Sequence, residues 1–314
     1  VTFPPRWLQR ILDALDRLQR RFRVSAVAVA VFKRYGDDRA GMYSALITFY
    51  GLLSVFPLLL LLVTAAGRIL GPDSAATKSL ISSALAQFPE IGPQIQRNIH
   101  ALNRGNTLAT VLSALFLLWG ALGLTSALQT ASNDAWRVPR HREPNIWLRT
   151  GRGLLLLGVM ALSVVVTSVS AGLAASSYLS RYSSLLSPAL IAVGAVANVG
   201  AYLVALHILA PKQTRYRLLL PGALVGGLGW TVLQQLGGYL IVHQLQRTTE
   251  IYGFFAIVLG LIFWLNLGAR LFLYATEVNI VRVQHSWPRG LFEPSDAVKH
   301  SAAAEEAAQV SAEN

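Results

Sequence analysis

No cysteine occurs in the 314 residues, which excludes disulfides, thiolate catalysis and Cys-ligated zinc or iron–sulfur centres. Charge is scarce as well: charged residues make up 13% of the chain, against about 25% in a soluble domain. The six histidines (His100, His141, His207, His243, His285, His300) are scattered, with no His-Glu-x-x-His motif and no pair four residues apart. The phosphate loop Gly-x-x-x-x-Gly-Lys-Ser/Thr is missing. So are a serine nucleophile elbow, paired acids of the two-metal nuclease kind and aromatic-basic RNA motifs. The sequence therefore offers no catalytic constellation. It leads us to expect no enzyme, no metal, no cofactor and no nucleic-acid partner.

Long apolar runs are what the chain has in plenty. Hydrophobic residues make up 54% of it, which moves the class to an all-α, polytopic integral membrane protein. Spanning hydrocarbon takes about 20 residues as a helix. By that measure six spans are expected, near residues 43–67, 107–132, 154–178, 188–209, 218–242 and 252–281. Residues 1–42 read as an N-terminal interfacial segment, 43–283 as the membrane domain and 284–314 as a mobile polar tail.

Residues 7–22 place Leu8, Ile11, Leu12, Leu15, Leu18 and Phe22 on one helical face, with arginines around the other. This pattern suits either a helix lying in the headgroup plane or one packed on the membrane domain; it does not read as a secretory signal peptide. Residues 26–32 are too short to span and precede an expected charged turn at 33–38. Pro57 lies well inside the first span and predicts a kink there, beside a cavity or in packing. Between residues 71 and 106 two amphipathic stripes separated by Pro89 and Pro93 suggest short helices over the bundle mouth, as a lid or a simple cap. The second span closes with Gln129 and Asn133, four apart and so on one face. The third is rich in small residues, and the fourth holds Asn198 and His207, the latter read as packing. The fifth carries Gly222, Gly226, Gly227 and Gly229, a groove for a neighbouring helix, and Gln234 and Gln235 at depth.

The sixth span holds the polar residues Asn266, Arg270, Glu277 and Asn279. Helical spacing puts Asn266, Arg270 and Glu277 on one face, with Asn279 pointing elsewhere. Charges at membrane depth are costly, so they face a protein interior or a wet cavity. Arg270 and Glu277 then form either a pair that pins helices or part of a wet pathway.

The 27 basic residues divide unevenly. Twenty lie on the side of the termini and of the second-to-third and fourth-to-fifth loops, six on the other side, with Arg270 within the membrane. Positive charge collects on the cytoplasmic side, so both termini are expected there, with anionic lipids against the basic face. The formal net charge of +12 needs no nucleic acid to explain it.

Several separated motifs carry a resemblance. They are SALITFYGLLSVFPL at residues 44–58, ALQTASNDAW at 127–136, LPGA at 220–223, Tyr252-Gly253, and Glu277-Val278-Asn279. In this order, over most of residues 35–283, the chain resembles the YihY/BrkB family of bacterial inner-membrane proteins. The run WLNLGAR ending at Arg270 departs from the family's commoner apolar pattern and looks more like its YhjD branch. The resemblance implies a six-helix membrane domain in the bacterial inner membrane and a role in envelope integrity or lipid export. It also brings an early ribonuclease BN label regarded as mistaken. Carried over residue by residue, its motif positions are Phe49, Tyr50, Ser54, Pro57, Gln129, Asn133, Trp136, Tyr252, Gly253, Glu277 and Asn279.

Three functions are open at this point. The leading one is a transporter or flippase for a lipid or lipid-linked envelope component. Its expected cavity residues are Asn266, Arg270, Glu277, Asn279, Gln129, Asn133, Tyr50, Ser54, Pro57, Tyr252 and Gln234, with Arg270 on an anionic headgroup. The second is a non-transporting membrane scaffold packed solid around Arg270 and Glu277, and the third is the ribonuclease. An oligomer is compatible with each.

Overall fold

The computed structural model describes residues 23–54, 107–139, 141, 144–174, 183–211, 214–240 and 246–284. Among these residues are seven helices and no strand. They are α1 (Arg23–Asp37), α2 (Ala40–Ser54), α3 (Thr107–Ala135), α4 (Ile146–Ala174), α5 (Ser183–Leu209), α6 (Tyr216–Leu240) and α7 (Gln246–Val283). Five stretches are long and apolar enough to cross a membrane: Ala114–Ala135, Ile146–Thr167, Ile191–Leu209, Tyr216–Leu236 and Val258–Val283. The chain is an all-α polytopic membrane protein. Of the expected first span only α2 is described. Pro57 and its kink, the stripe at 7–22, the expected helices at 71–106 and the tail after 284 lie outside the described residues.

Two expectations about helix ends are corrected. The helix that carries the expected third span begins at Ile146, ahead of residue 154, because Asn145 caps it: the Leu148 N–H donates to Asn145 Oδ1 at 3.2 Å. Arg149 and Arg152 therefore belong to a helix and not to a loop. The charged residues expected as a turn at 33–38 are helical up to Asp37, since α1 is held along its length against α7. Arg39, with φ at 52°, then turns the chain into α2.

The C-terminus of α3 is closed by a Schellman arrangement. Val138 N–H bonds Asn133 O at 2.9 Å and Arg137 N–H bonds Asp134 O at 3.0 Å, with Arg137 at φ 53° in the left-handed position that glycine usually fills.

Helices α3 to α7 each pack on the next in chain order, and α1 packs on the end of α7. The central core joins Ile47 of α2, Ala127 and Leu128 of α3, Leu156 of α4, Leu209 of α5 and Leu273 of α7. The glycines of α6 set its separation from both neighbours, as expected. A Cβ on Gly227 would come within 2.5–2.7 Å of Val199 of α5, partly backbone, and one on Gly222 would fall on the Ala275 carbonyl and the Asn279 side chain of α7. Backbones this close pack by van der Waals contact, which must hold helices together where lipid tails are as apolar as the side chains.

Gly158 and Gly200 have open space where a Cβ would go, which separates propensity from packing. Gly227→Ala is expected to destabilise by about 1–3 kcal/mol through forced separation of α5 and α6. Gly158→Ala is expected to stabilise by about 0.5–1 kcal/mol, because an interior glycine weakens a helix. Thermal unfolding of the two variants in detergent checks the opposite signs.

Candidate functional site

A buried charge cluster forms where α1, α3 and α7 meet. Arg34 of α1 is 1% exposed, and its guanidinium is answered on every side. Nη1 donates to Gln284 Oε1 at 2.8 Å and Nη2 to the Ala135 carbonyl at 3.1 Å. The latter is one of the carbonyls a helix leaves unpaired at its negative C-terminal end, where a cation is favoured. Nε lies 3.1 Å from Asp38 Oδ2 and 3.1 Å from Glu277 Oε2. Its single hydrogen goes to Asp38, so the Glu277 contact is an ion pair without a hydrogen bond, and Oε2 of the buried Glu277 has no donor. Nearby, the Tyr43 hydroxyl donates to the Asp134 carboxylate. Burial pushes the Asp38 carboxyl above its ordinary 3.8, and the Arg34 and Arg137 charges oppose this without reversing it.

This geometry corrects the expected pairing of Arg270 with Glu277. Glu277 is 2% exposed and its counter-charge is Arg34, 243 residues earlier in the chain, while Arg270 is exposed. Both residues do lie in one continuous helix, seven positions and so about two turns apart. However, α1 covers their side of it only from Tyr274 onward.

The other expected site residues go to separate helix contacts. Asn266 Nδ2 reaches Thr48 Oγ1 at 3.1 Å and Ser44 Oγ at 3.4 Å, joining α7 to α2. Asn279 Oδ1 accepts the Gly222 N–H at 2.8 Å, one residue after Pro221 interrupts the hydrogen-bond ladder of α6. Gln129 Nε2 donates to the Arg149 carbonyl at 3.1 Å, joining α3 to α4, and Asn133 contributes its carbonyl to the end of α3. Tyr50 packs edge-on against Trp119 at 6.4 Å, and Ser54 Oγ donates to the Tyr50 carbonyl at 2.8 Å. The oxygen of Gln234 is 3.5 Å from Asn198 Nδ2. Tyr252 lies in α7 with its side chain outside the described residues, as is the whole of Pro57.

Residues that sequence reasoning missed or passed over complete the picture. Asn198, 4% exposed, accepts from Ser163 Oγ at 3.3 Å and donates to Thr231 Oγ1 at 3.1 Å, tying α4, α5 and α6 together. Arg149 Nη2 reaches Thr130 Oγ1 at 2.9 Å and the hydroxyl and carbonyl of Ser126. Arg34 was legible only as one charge among many. Its signal was the Arg34–Asp38 spacing of four.

A cavity of about 220 Å³ lies between the six helices α2 to α7. Leu128, Leu156, Ala205, Trp230 and Phe272 are among its apolar walls, and Ser163, Thr167 and Asn198 bring polar atoms to it. None of the nine expected site residues whose side chains are described lines it. The cavity and the charge cluster are therefore distinct places. Among the described residues no three His, Asp or Glu side chains gather to hold a metal ion.

Removing Arg34 leaves two acids in a buried site without their shared counter-charge. Arg34→Leu is expected to cost about 3–5 kcal/mol in unfolding experiments, with part recovered in Arg34→Leu/Glu277→Leu. Between pH 3.8 and its raised folded value, Asp38 holds a proton that the unfolded chain has released. Its contribution to stability therefore falls as pH rises through that window. Asp38→Asn should flatten this part of the thermal midpoint's pH profile; an unchanged slope would rule out the assignment to Asp38.

Known proteins supply a context for this architecture. The chain is 26% identical over 271 residues to an uncharacterized protein of Dickeya dadantii, covering 80% of this chain and 82% of that protein. It is 21% identical over 284 residues to the inner membrane protein YhjD of Escherichia coli, covering 85% and 83%. To a protein of Bacillus subtilis named as ribonuclease-like, YfkH, it is 24% identical over 258 residues, covering 79% and 92%. No solved structure matches it. The family model described as virulence factor BrkB matches residues 31–299, from within α1 to beyond α7, so the chain belongs to the BrkB family.

Proposed function

We propose that this chain is an inner-membrane transporter or flippase for a lipid or lipid-linked envelope component. The observation that carries the reading is the central cavity, apolar on most of its wall and open to polar atoms at Ser163, Thr167 and Asn198. An apolar cavity of about 150 Å³ holds a benzene ring, so about 220 Å³ suits a length of acyl chain and not a whole lipid. The cavity, and not Arg270 with Glu277, is then the cargo contact. Relatedness to YhjD, named as an inner membrane protein, supports the location. The excess of basic residues supports cytoplasmic termini and anionic lipids against that face. On this reading the chain is not an enzyme, and the ribonuclease-like name of YfkH does not transfer to it.

The experiment is lipid movement in vesicles of bacterial phospholipid carrying a fluorescent lipid whose outer-leaflet copies are quenched chemically. Vesicles with the native chain should lose signal beyond the outer-leaflet share. Ala201→Phe, which puts a ring into the cavity, should return them to the protein-free level while the thermal midpoint holds. Native vesicles that behave like empty ones would remove the reading. They would favour a non-transporting membrane scaffold, for which the closed Arg34–Glu277 contact speaks: it fastens α1 to α7 and opens no path.

A further inference from the structure

The polar patch in the wall of the central cavity has a direction. Thr231 Oγ1 donates to the Gly227 carbonyl at 2.9 Å, which commits its single hydrogen and leaves it able only to accept. The Asn198 atom that meets it at 3.1 Å is therefore the nitrogen, and Oδ1 faces Ser163. A carbonyl oxygen brings no hydrogen, so the Ser163 hydroxyl is the donor, at 3.3 Å. Ser163 of α4, Asn198 of α5 and Thr231 and Gly227 of α6 thus form one directed chain of hydrogen bonds. Ser163 and Asn198 line the cavity, and Thr231 and Gly227 do not. Every hydrogen in the chain is spent inside the protein.

What remains at the cavity end is the Ser163 oxygen, its hydrogen committed and its lone pairs on offer; among the described residues none donates to it. Donating into a chain strengthens such an oxygen as an acceptor. Thr167, on the same wall, turns its hydroxyl hydrogen back to its own helix, at the Ser163 or Val164 carbonyl. Around them Leu128, Leu156 and Phe272 make the wall apolar. Ser163, Asn198 and Thr231 all stand inside membrane-crossing stretches and at none of their ends, a depth at which a charged ligand group is costly. Met160 and Val164, beside Ser163 on α4, line the cavity and are exposed by 46% and 37%, so a chain from the bilayer has a way in.

We infer, on the reading of this cavity as the cargo contact, that it takes an uncharged single-chain lipid whose polar end is a hydroxyl. The hydroxyl donates to Ser163 Oγ and the chain lies against the apolar walls. Its own lone pairs remain for the donors that Tyr202 and Trp230 carry. An ether or ester oxygen has no hydrogen to give. It could bond Ser163 only by drawing the hydroxyl hydrogen away from Asn198, which is 4% exposed and would be left without that donor.

Scintillation proximity binding of tritiated dodecanol to the purified full chain, displaced by unlabelled competitors, tests it. Ser163→Val puts a methyl where the hydroxyl was and keeps Asn198 covered. It should bind dodecanol on the order of tenfold more weakly than the native chain, the loss expected for one buried hydrogen bond. Dodecyl methyl ether, whose oxygen accepts and cannot donate, should bind the two proteins equally. Partition into detergent is common to both proteins and cancels from each comparison. Ala201→Phe, which fills the cavity, should abolish binding of both ligands.

Dodecanol held equally by native and Ser163→Val protein, or an ether weakened as much as the alcohol, overturns the hydroxyl contact and leaves the cavity as a site for hydrocarbon alone. Dodecanol binding that survives Ala201→Phe overturns the cavity itself as the cargo contact. Dodecyl phosphate displacing as well as dodecanol would assign the wall to an anionic head and also overturns the hydroxyl. Should Ser163→Val fail to fold, Ser163→Val/Asn198→Leu, in which both partners are apolar, takes its place with the same outcomes.

Discussion

A guanidinium shut away from water has to find partners for its donors and an anion for its charge, and Arg34 finds them on three parts of the chain at once. Asp38 comes from its own turn, the Ala135 carbonyl from the end of α3, and Gln284 and Glu277 from the end of α7. No pair of these elements is adjacent in sequence except α1 and its turn. The contact therefore fixes the end of the bundle in three dimensions. With two carboxylates on one Nε hydrogen, Glu277 Oε2 is left without a donor, while burial raises the proton affinity of Asp38. Breaking such a group is costly because what remains is an uncompensated buried charge; forming it adds less, because desolvation offsets the attraction.

The same requirement, repeated without full charges, organises the interior of the membrane domain. Asn198, Asn266, Asn279, Gln129 and Arg149 each reach a neighbouring helix. In hydrocarbon a polar side chain left without a partner is expensive, so each is both a constraint on register and a source of specificity. Glycines do the complementary work where α6 meets α5 and α7, and Asn279 does both: it answers the Gly222 N–H at the place where any side chain on Gly222 would strike it.

Charge and space are separated in this fold. The ion pair is sealed at one end between α1 and α7, while the cavity lies among the six helices α2 to α7 with mostly apolar walls. An apolar void attracts a hydrocarbon chain without discriminating between headgroups. A specific polar or anionic contact has to come from elsewhere, either from the Ser163, Thr167 and Asn198 side of the wall or from the outer face of the bundle.

How much of this could be read in the residues alone varies with the range of the interaction. Run length and the scarcity of charge determined the all-α membrane class, because crossing hydrocarbon is a demand on each helix by itself. The spacing of Gly222, Gly226 and Gly227 announced a close approach, again a property of one helix face. Spacing also put Arg270 and Glu277 on one side of α7, but only the tertiary structure decided that α1 covers Glu277 and leaves Arg270 bare. Which helix lies against a given stretch depends on contacts between residues hundreds of positions apart, and periodicity along a single helix holds no record of them. The cavity follows the same logic, since it is the space six helices fail to fill together and no one of them encodes it.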